Sequence, residues 1–115
     1  MAFVRQEVPT VQVKFEEVDR QGQAGRASVV IVYNELHKGR PYGLLEDVFV
    51  RPDVRGSGLS TRLVDACIAE ARRLGCYKII LSHSPGAGER LTGWYARKFA
   101  FKLSGNTEMR LDLVA

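Results

Sequence analysis

Between Val11 and Val18 apolar and polar residues alternate, in the order Val11-Gln12-Val13-Lys14-Phe15-Glu16, which predicts a half-buried strand. Asp19 to Arg26 carries Gly22 and Gly25 and reads as a turn or loop. Ala27 to Tyr33 is apolar and β-branched, a second strand that should pair with the first as a hairpin. A loop at His37 to Gly43 leads into Leu44-Leu45-Glu46-Asp47-Val48-Phe49-Val50, apolar on both faces except at its two carboxylates, as a central strand is. From Gly58 to Leu74 the period lengthens from two to about 3.6, with Leu59, Leu63, Val64, Cys67, Ile68, Ala71 and Leu74 on one helical face. Arg72 and Arg73 suit the last turn of that helix, and Gly75 its stop. Tyr77 to Leu81 is a short buried strand, which implies a strand–helix–strand unit with a parallel, right-handed crossover. Ser84 to Gly88 reads as a loop, Glu89 to Phe99 as a helix and Glu108 to Leu113 as a closing strand. The pattern predicts one α/β domain over residues 1–115, a mixed central β-sheet flanked by helices.

Composition narrows the picture only slightly. Apolar residues at 45% and charged residues at 26% are ordinary for a soluble domain. No apolar run approaches a membrane span, and Met1 to Thr10 lacks a signal-peptide core, so a cytoplasmic protein with no membrane association is expected. Cys67 and Cys76 are too few for a disulfide framework and read as buried thiols. No group of Cys, His, Asp and Glu has metal-ligand spacing, so no metal is expected. A net charge of +4 suits an anionic small ligand. The basic residues are dispersed without interleaved aromatics, which makes nucleic acid an unlikely partner.

The chemistry concentrates between the central strand and the helix, in Arg55-Gly56-Ser57-Gly58-Leu59-Ser60-Thr61. A glycine turn there presents unpaired backbone N–H groups, and with the positive end of the helix dipole these favour a phosphate. A nucleotide-hydrolysing P-loop is excluded, because Gly58 precedes Leu59 rather than lysine and the earlier glycine position holds Asp53. A dinucleotide fingerprint fails as well, since its third glycine would fall at Thr61.

Arg55, Gly58 and Ser60 do fill the pattern of arginine or glutamine, two residues, glycine, one residue and a small residue. That pattern resembles the pyrophosphate loop of the GNAT superfamily of N-acetyltransferases. Trp94 to Lys102 resembles the family's late helix and turn, in which a tyrosine precedes a Gly-Phe pair; here the glycine position holds Ala100. Within the superfamily, Leu45-Glu46-Asp47-Val48, Gly75 to Leu81 and Glu108-Met109-Arg110 are most similar to glucosamine-6-phosphate N-acetyltransferases. Against that pattern the chain is shortened at the N-terminus, the stretch between Leu81 and Tyr95 is longer, and Ser60 replaces a smaller residue.

The resemblance implies the acyl-CoA N-acyltransferase fold, acetyl-CoA as cofactor, and direct acetyl transfer to the primary amine of a small-molecule acceptor, an amino-sugar phosphate first. It also implies site residues. Val48, Phe49 and Val50 would pair with the pantetheine arm through their backbone, and Arg55, Gly56, Ser57, Gly58, Leu59 and Ser60 would hold the pyrophosphate. Tyr95 would contact the cofactor and serve as general acid for the departing thiolate. Glu46 and Asp47, expected on opposite strand faces, would contact the acceptor, with Glu46 as orienter or base; a structural carboxylate is the competing reading. His83 is a further candidate for acceptor binding or a base role, against a plain loop histidine. The absent N-terminal helices suggest a homodimer that completes the acceptor site. The alternatives are a CoA-binding or partner-binding module with little catalysis, and an acetyltransferase for other small amines or protein amines.

Overall fold

The computed structural model describes residues 1–82, 88–105 and 108–114, with the backbone alone at 34–36. Eight elements succeed one another: β1 (Thr10–Asp19), β2 (Gly22–His37), β3 (Arg40–Val50), α1 (Leu59–Arg73), β4 (Lys78–Ser82), α2 (Gly88–Phe99), β5 (Lys102–Leu103) and β6 (Glu108–Asp112). A short 3-10 turn at Pro52–Val54 lies between β3 and α1. The strands make one six-stranded sheet in the order β1-β2-β3-β4-β6-β5. Every neighbouring pair is antiparallel except β3 and β4, which are joined through the α1 crossover as expected.

The first three strands are longer than the glycines suggested. Asp19 to Arg26 and His37 to Gly43, expected as loops, are strand except for two tight turns. At the first, Asp19 Oδ1 accepts the Gln21 N–H at 2.8 Å. At the second, Lys38 and Gly39 both have positive φ (54° and 76°), the conformation that matches the twist of a two-residue hairpin. Gly25 and Gly43 lie inside strands and serve packing. A Cβ at Gly25 would sit 3.0 Å from both Leu59 Cδ2 and the Phe49 carbonyl oxygen, and one at Gly43 would sit 3.2 Å from Val29 Cγ2. The missing side chains let α1 lie close on β2 and β3.

Both helices cover one face of the sheet. Ala27, Val29 and Ile31 of β2, Leu45 of β3, Ile79 and Leu81 of β4, and Met109 of β6 meet Leu63, Val64, Cys67 and Ala71 of α1 with Tyr95 and Phe99 of α2. The predicted face of α1 is buried from Leu59 to Ala71, while Leu74 falls just past the helix end and is half-buried. Cys67 and Cys76 are buried and unbridged, and burial pushes their thiols up to about 12 and about 11, so both stay protonated and unreactive. No helix among the described residues is long and apolar enough to cross a membrane.

Candidate active site

The site begins where the sheet stops being continuous. The parallel ladder between β3 and β4 consists of Gly43 opposite Ile79 and Leu44 opposite Ile80. From Leu45 onward β3 pairs with β2 alone, so its backbone groups facing β4 have no strand partner. Asp47 reinforces this departure. It adopts φ 55° at a register shift where Ser28 pairs with Glu46 but the next pair is Arg26 with Phe49. Such a bulge bends the strand and re-aims the residues beyond it. It also breaks the simple alternation expected of Glu46 and Asp47, both of which are exposed.

Beyond the bulge Val48, Phe49 and Val50 line a cleft of about 580 Å³ with Arg55, Ser60, Arg90, Leu91, Trp94, Tyr95 and Arg97. One wall is the end of β3, the other the inner face of α2, and the base is the start of α1. Gly56 and Gly58 both have φ 85°, a left-handed conformation that glycine adopts without strain. No side chain caps α1. The Ser57 N–H is taken by the Val54 carbonyl, but those of Gly56, Gly58, Leu59, Ser60 and Thr61 find no acceptor among the described residues. Leu59 is buried in the core and anchors the turn, so only its N–H faces outward chemistry. Arg55 Nε donates to the Val50 carbonyl at 3.3 Å, which ties the turn to the strand end.

Tyr95 is buried against Trp94, Phe99 and Phe101, with ring centroids 4.8, 6.1 and 5.6 Å away. That burial, with a smaller contribution from Cys67, pushes its phenol up to about 12. The hydroxyl therefore remains a proton donor across the neutral range, and no hydrogen bond to it exists among the described residues. The turn after α2 places Ala100 at φ 65° where a glycine is usual in the resembling turn, so the conformation is kept despite the Cβ.

The expected residues divide into two groups. Val48, Phe49, Val50, Arg55, Ser60 and Tyr95 converge on the cleft, with Gly56, Ser57, Gly58 and Leu59 forming its turn. Asp47 instead receives Arg26 in a two-pronged pair at 2.8 and 3.1 Å, and the guanidinium beside it holds its carboxyl below the usual range. Glu46 is exposed on β3 with no ion pair among the described residues. His83 lies outside the described residues. Sequence reasoning passed over Arg90, Leu91, Trp94 and Arg97, although their i, i+4, i+7 spacing around Tyr95 marks one helix face.

A sheet split beside a glycine turn defines a class, and the comparisons name it. Residues 10–101 match the Acetyltransferase (GNAT) family, and the chain belongs to that family. It is 38% identical over 89 residues to the glucosamine 6-phosphate N-acetyltransferase of Trypanosoma brucei brucei, covering 77% of this chain and 56% of that protein. It is 38% identical over 78 residues to glucosamine 6-phosphate N-acetyltransferase 1 of Oryza sativa subsp. japonica, covering 66% and 44%. The chain thus spans about half the length of the curated relatives it matches. Among solved structures, a Trypanosoma brucei acetyltransferase superposes with a TM-score of 0.74 at 34% identity, over 89% of this chain and 69% of that one. The glucosamine-6-phosphate N-acetyltransferase of Arabidopsis thaliana gives 0.72 at 25%, over 82% and 63%. These likenesses bear out the expected family and the mixed-sheet acyltransferase fold.

Proposed function

We propose that the chain, as one acetyltransferase domain, binds acetyl-CoA in this cleft and passes the acetyl group directly to a primary amine, an amino-sugar phosphate such as glucosamine 6-phosphate first. The observation that carries the reading is the split between β3 and β4, which leads without interruption to the unpaired N–H groups of the turn. The donor set fits the cofactor. Free strand edges suit the amide-bearing pantetheine, and the turn with Arg55 suits a pyrophosphate. Two relatives named for glucosamine 6-phosphate support the acceptor.

When bound, acetyl-CoA supplies a thioester-activated acetyl group and leaves as the thiol. A backbone N–H at Val48 to Val50 polarises the thioester carbonyl. Glu46 orients the amine or takes its proton, directly or through water; Asp47, occupied by Arg26, fixes the bulge that presents Glu46. The bound cofactor would give its acetyl group to the amine nitrogen with loss of the carbon–sulfur bond, and the Tyr95 hydroxyl would donate toward the departing sulfur. A phenol near 12 is a weaker acid than an ordinary thiol near 8.5, so its part is a strong hydrogen bond during departure, with full transfer only to a desolvated thiolate. We further propose a cytoplasmic location and, separately, a second copy seated on the sheet face bearing Val30, Leu44 and Ile80, which no helix among the described residues covers.

The test is calorimetric titration with acetyl-CoA, with ATP and NAD as controls, followed by an acceptor screen led by glucosamine 6-phosphate and sedimentation to read the mass. Selective acetyl-CoA binding with turnover supports the reading. Binding without turnover on any amine would leave only a CoA-binding module, and a fully active monomer would remove the second copy.

A further inference from the structure

Gly93 stands inside α2, where its backbone is right-handed and asks for no glycine. Among residues other than proline, glycine is the least favourable in a helix interior. The structure shows what occupies the space of its absent side chain. A Cβ at position 93 would lie 2.7 Å from Arg97 Nη1, closer than non-bonded atoms tolerate, and 3.6 Å from Arg97 Cζ, in ordinary contact. The Arg97 guanidinium, one turn further on, is therefore folded back against the Gly93 backbone.

Arg97 occupies an unusual position. It lines the cleft with Arg55 and Arg90, and it also lines a separate groove between α1 and α2 beside Asp65 and Arg72. It forms part of the wall between two concavities. Arg26, Arg51, Arg73 and Arg110 each have a carboxylate partner, whereas Arg97 has none among the described residues. Its charge is available to whatever anion enters the cleft. A methyl group at position 93 would push the guanidinium off the helix backbone, and Asp65 across the groove would attract it.

We infer that Gly93 is a positioning residue whose bare backbone lets Arg97 reach into the cleft and clamp the phosphates of the cofactor. This rests on the acetyl-CoA reading above. Wild type, Gly93→Ala, Arg97→Ala and the double variant are titrated with acetyl-CoA and with acetyl-pantetheine, which lacks the phosphates. Gly93→Ala should weaken acetyl-CoA roughly three- to tenfold and leave acetyl-pantetheine unchanged, with melting unchanged or raised because alanine favours the helix. The double variant should bind no more weakly than Arg97→Ala alone, because the effect of Gly93 runs through Arg97. Unchanged acetyl-CoA binding in Gly93→Ala, or additive losses in the double variant, would overturn the inference. If Gly93→Ala fails to fold, Arg97→Ala decides: equal losses for the two ligands overturn it. An effect confined to the KM of a phosphorylated amine overturns the assignment to the cofactor. Wild-type protein that binds no acetyl-CoA overturns the parent reading, and this inference with it.

Discussion

Arg51 and Arg55 are four residues apart on the same connection and serve opposite ends. Arg51 is gripped by Asp19 at 2.6 and 3.1 Å and by Asp53 at 2.5 and 3.1 Å, and its backbone N–H reaches the Ala24 carbonyl at 2.8 Å. It rivets the β1–β2 turn to the end of β3. Among the described residues the Arg55 side chain has no carboxylate partner and makes one hydrogen bond, to the Val50 carbonyl, beside amides that also lack acceptors there. Neutralised charge marks scaffold, and charge left open beside open N–H groups marks a place for an anion. The same division separates Arg26, committed to Asp47, from Arg90 and Arg97.

The comparison can be broken first at the cleft. Tyr95→Phe should lower turnover roughly ten- to a thousandfold with acetyl-CoA affinity little changed, read by steady-state kinetics beside calorimetry. Because burial raises the phenol to about 12, the alkaline limb of wild-type kcat should lie above the ordinary phenol value of about 10. A smaller effect is expected at Arg55→Ala, which should weaken acetyl-CoA about tenfold at an unchanged melting temperature.

Arg51→Met should do the reverse, lowering the melting temperature by a few degrees with Kd within about twofold of wild type. The pH dependence separates the two arginines further. Arg51 holds the Asp19 and Asp53 carboxyls below their usual values in the folded state. Their contribution is therefore present above the unfolded carboxylate pKa of about 3.9 and is lost as pH falls through the lower folded values. Thermal melts of wild type should lose stability in that acid window more steeply than those of Arg51→Met. The smallest effect is a gain. Ala100→Gly should relieve the left-handed strain and add about 1 kcal/mol, or about 4 °C, without altering affinity.

How much of this was legible depends on range. The β3–turn–α1 unit could be read because its signals are local: a buried strand, glycines at the φ 85° positions, then a clean helical period. The extents of β2 and β3 could not, because Gly25 and Gly43 imitate turn residues while answering to Leu59 and Val29 far along the chain. β5, two residues long, is too short to have a period. The glycine turn at the base of the cleft was visible as a motif. The commitment of Asp47 to Arg26 depends on a bulge, which no spacing announces. The end of α2 hides a further detail. At the end of α1 the Cys76 and Gly75 N–H groups reach back to Ala71 and Arg72, five and three residues. At the end of α2 those of Phe101 and Ala100 reach back to Tyr95 and Ala96, six and four residues, a turn one residue wider.

The brevity of the β3–β4 ladder has a mechanical consequence. Among the described residues, two ladder pairs and the Tyr77 N–H donated to the Pro41 carbonyl at 2.9 Å are what stitch the β1-β2-β3 plate to the β4-β6-β5 plate through the backbone. Cohesion across that seam falls to side chains, with Leu45, Leu81, Tyr95 and Phe101 packed into one core. A molecule wedged in the gap would act as a seventh strand, supplying the hydrogen bonds the sheet withholds from itself. Occupancy and stability are then one quantity seen twice, and the protein is most fully assembled when it is loaded for work.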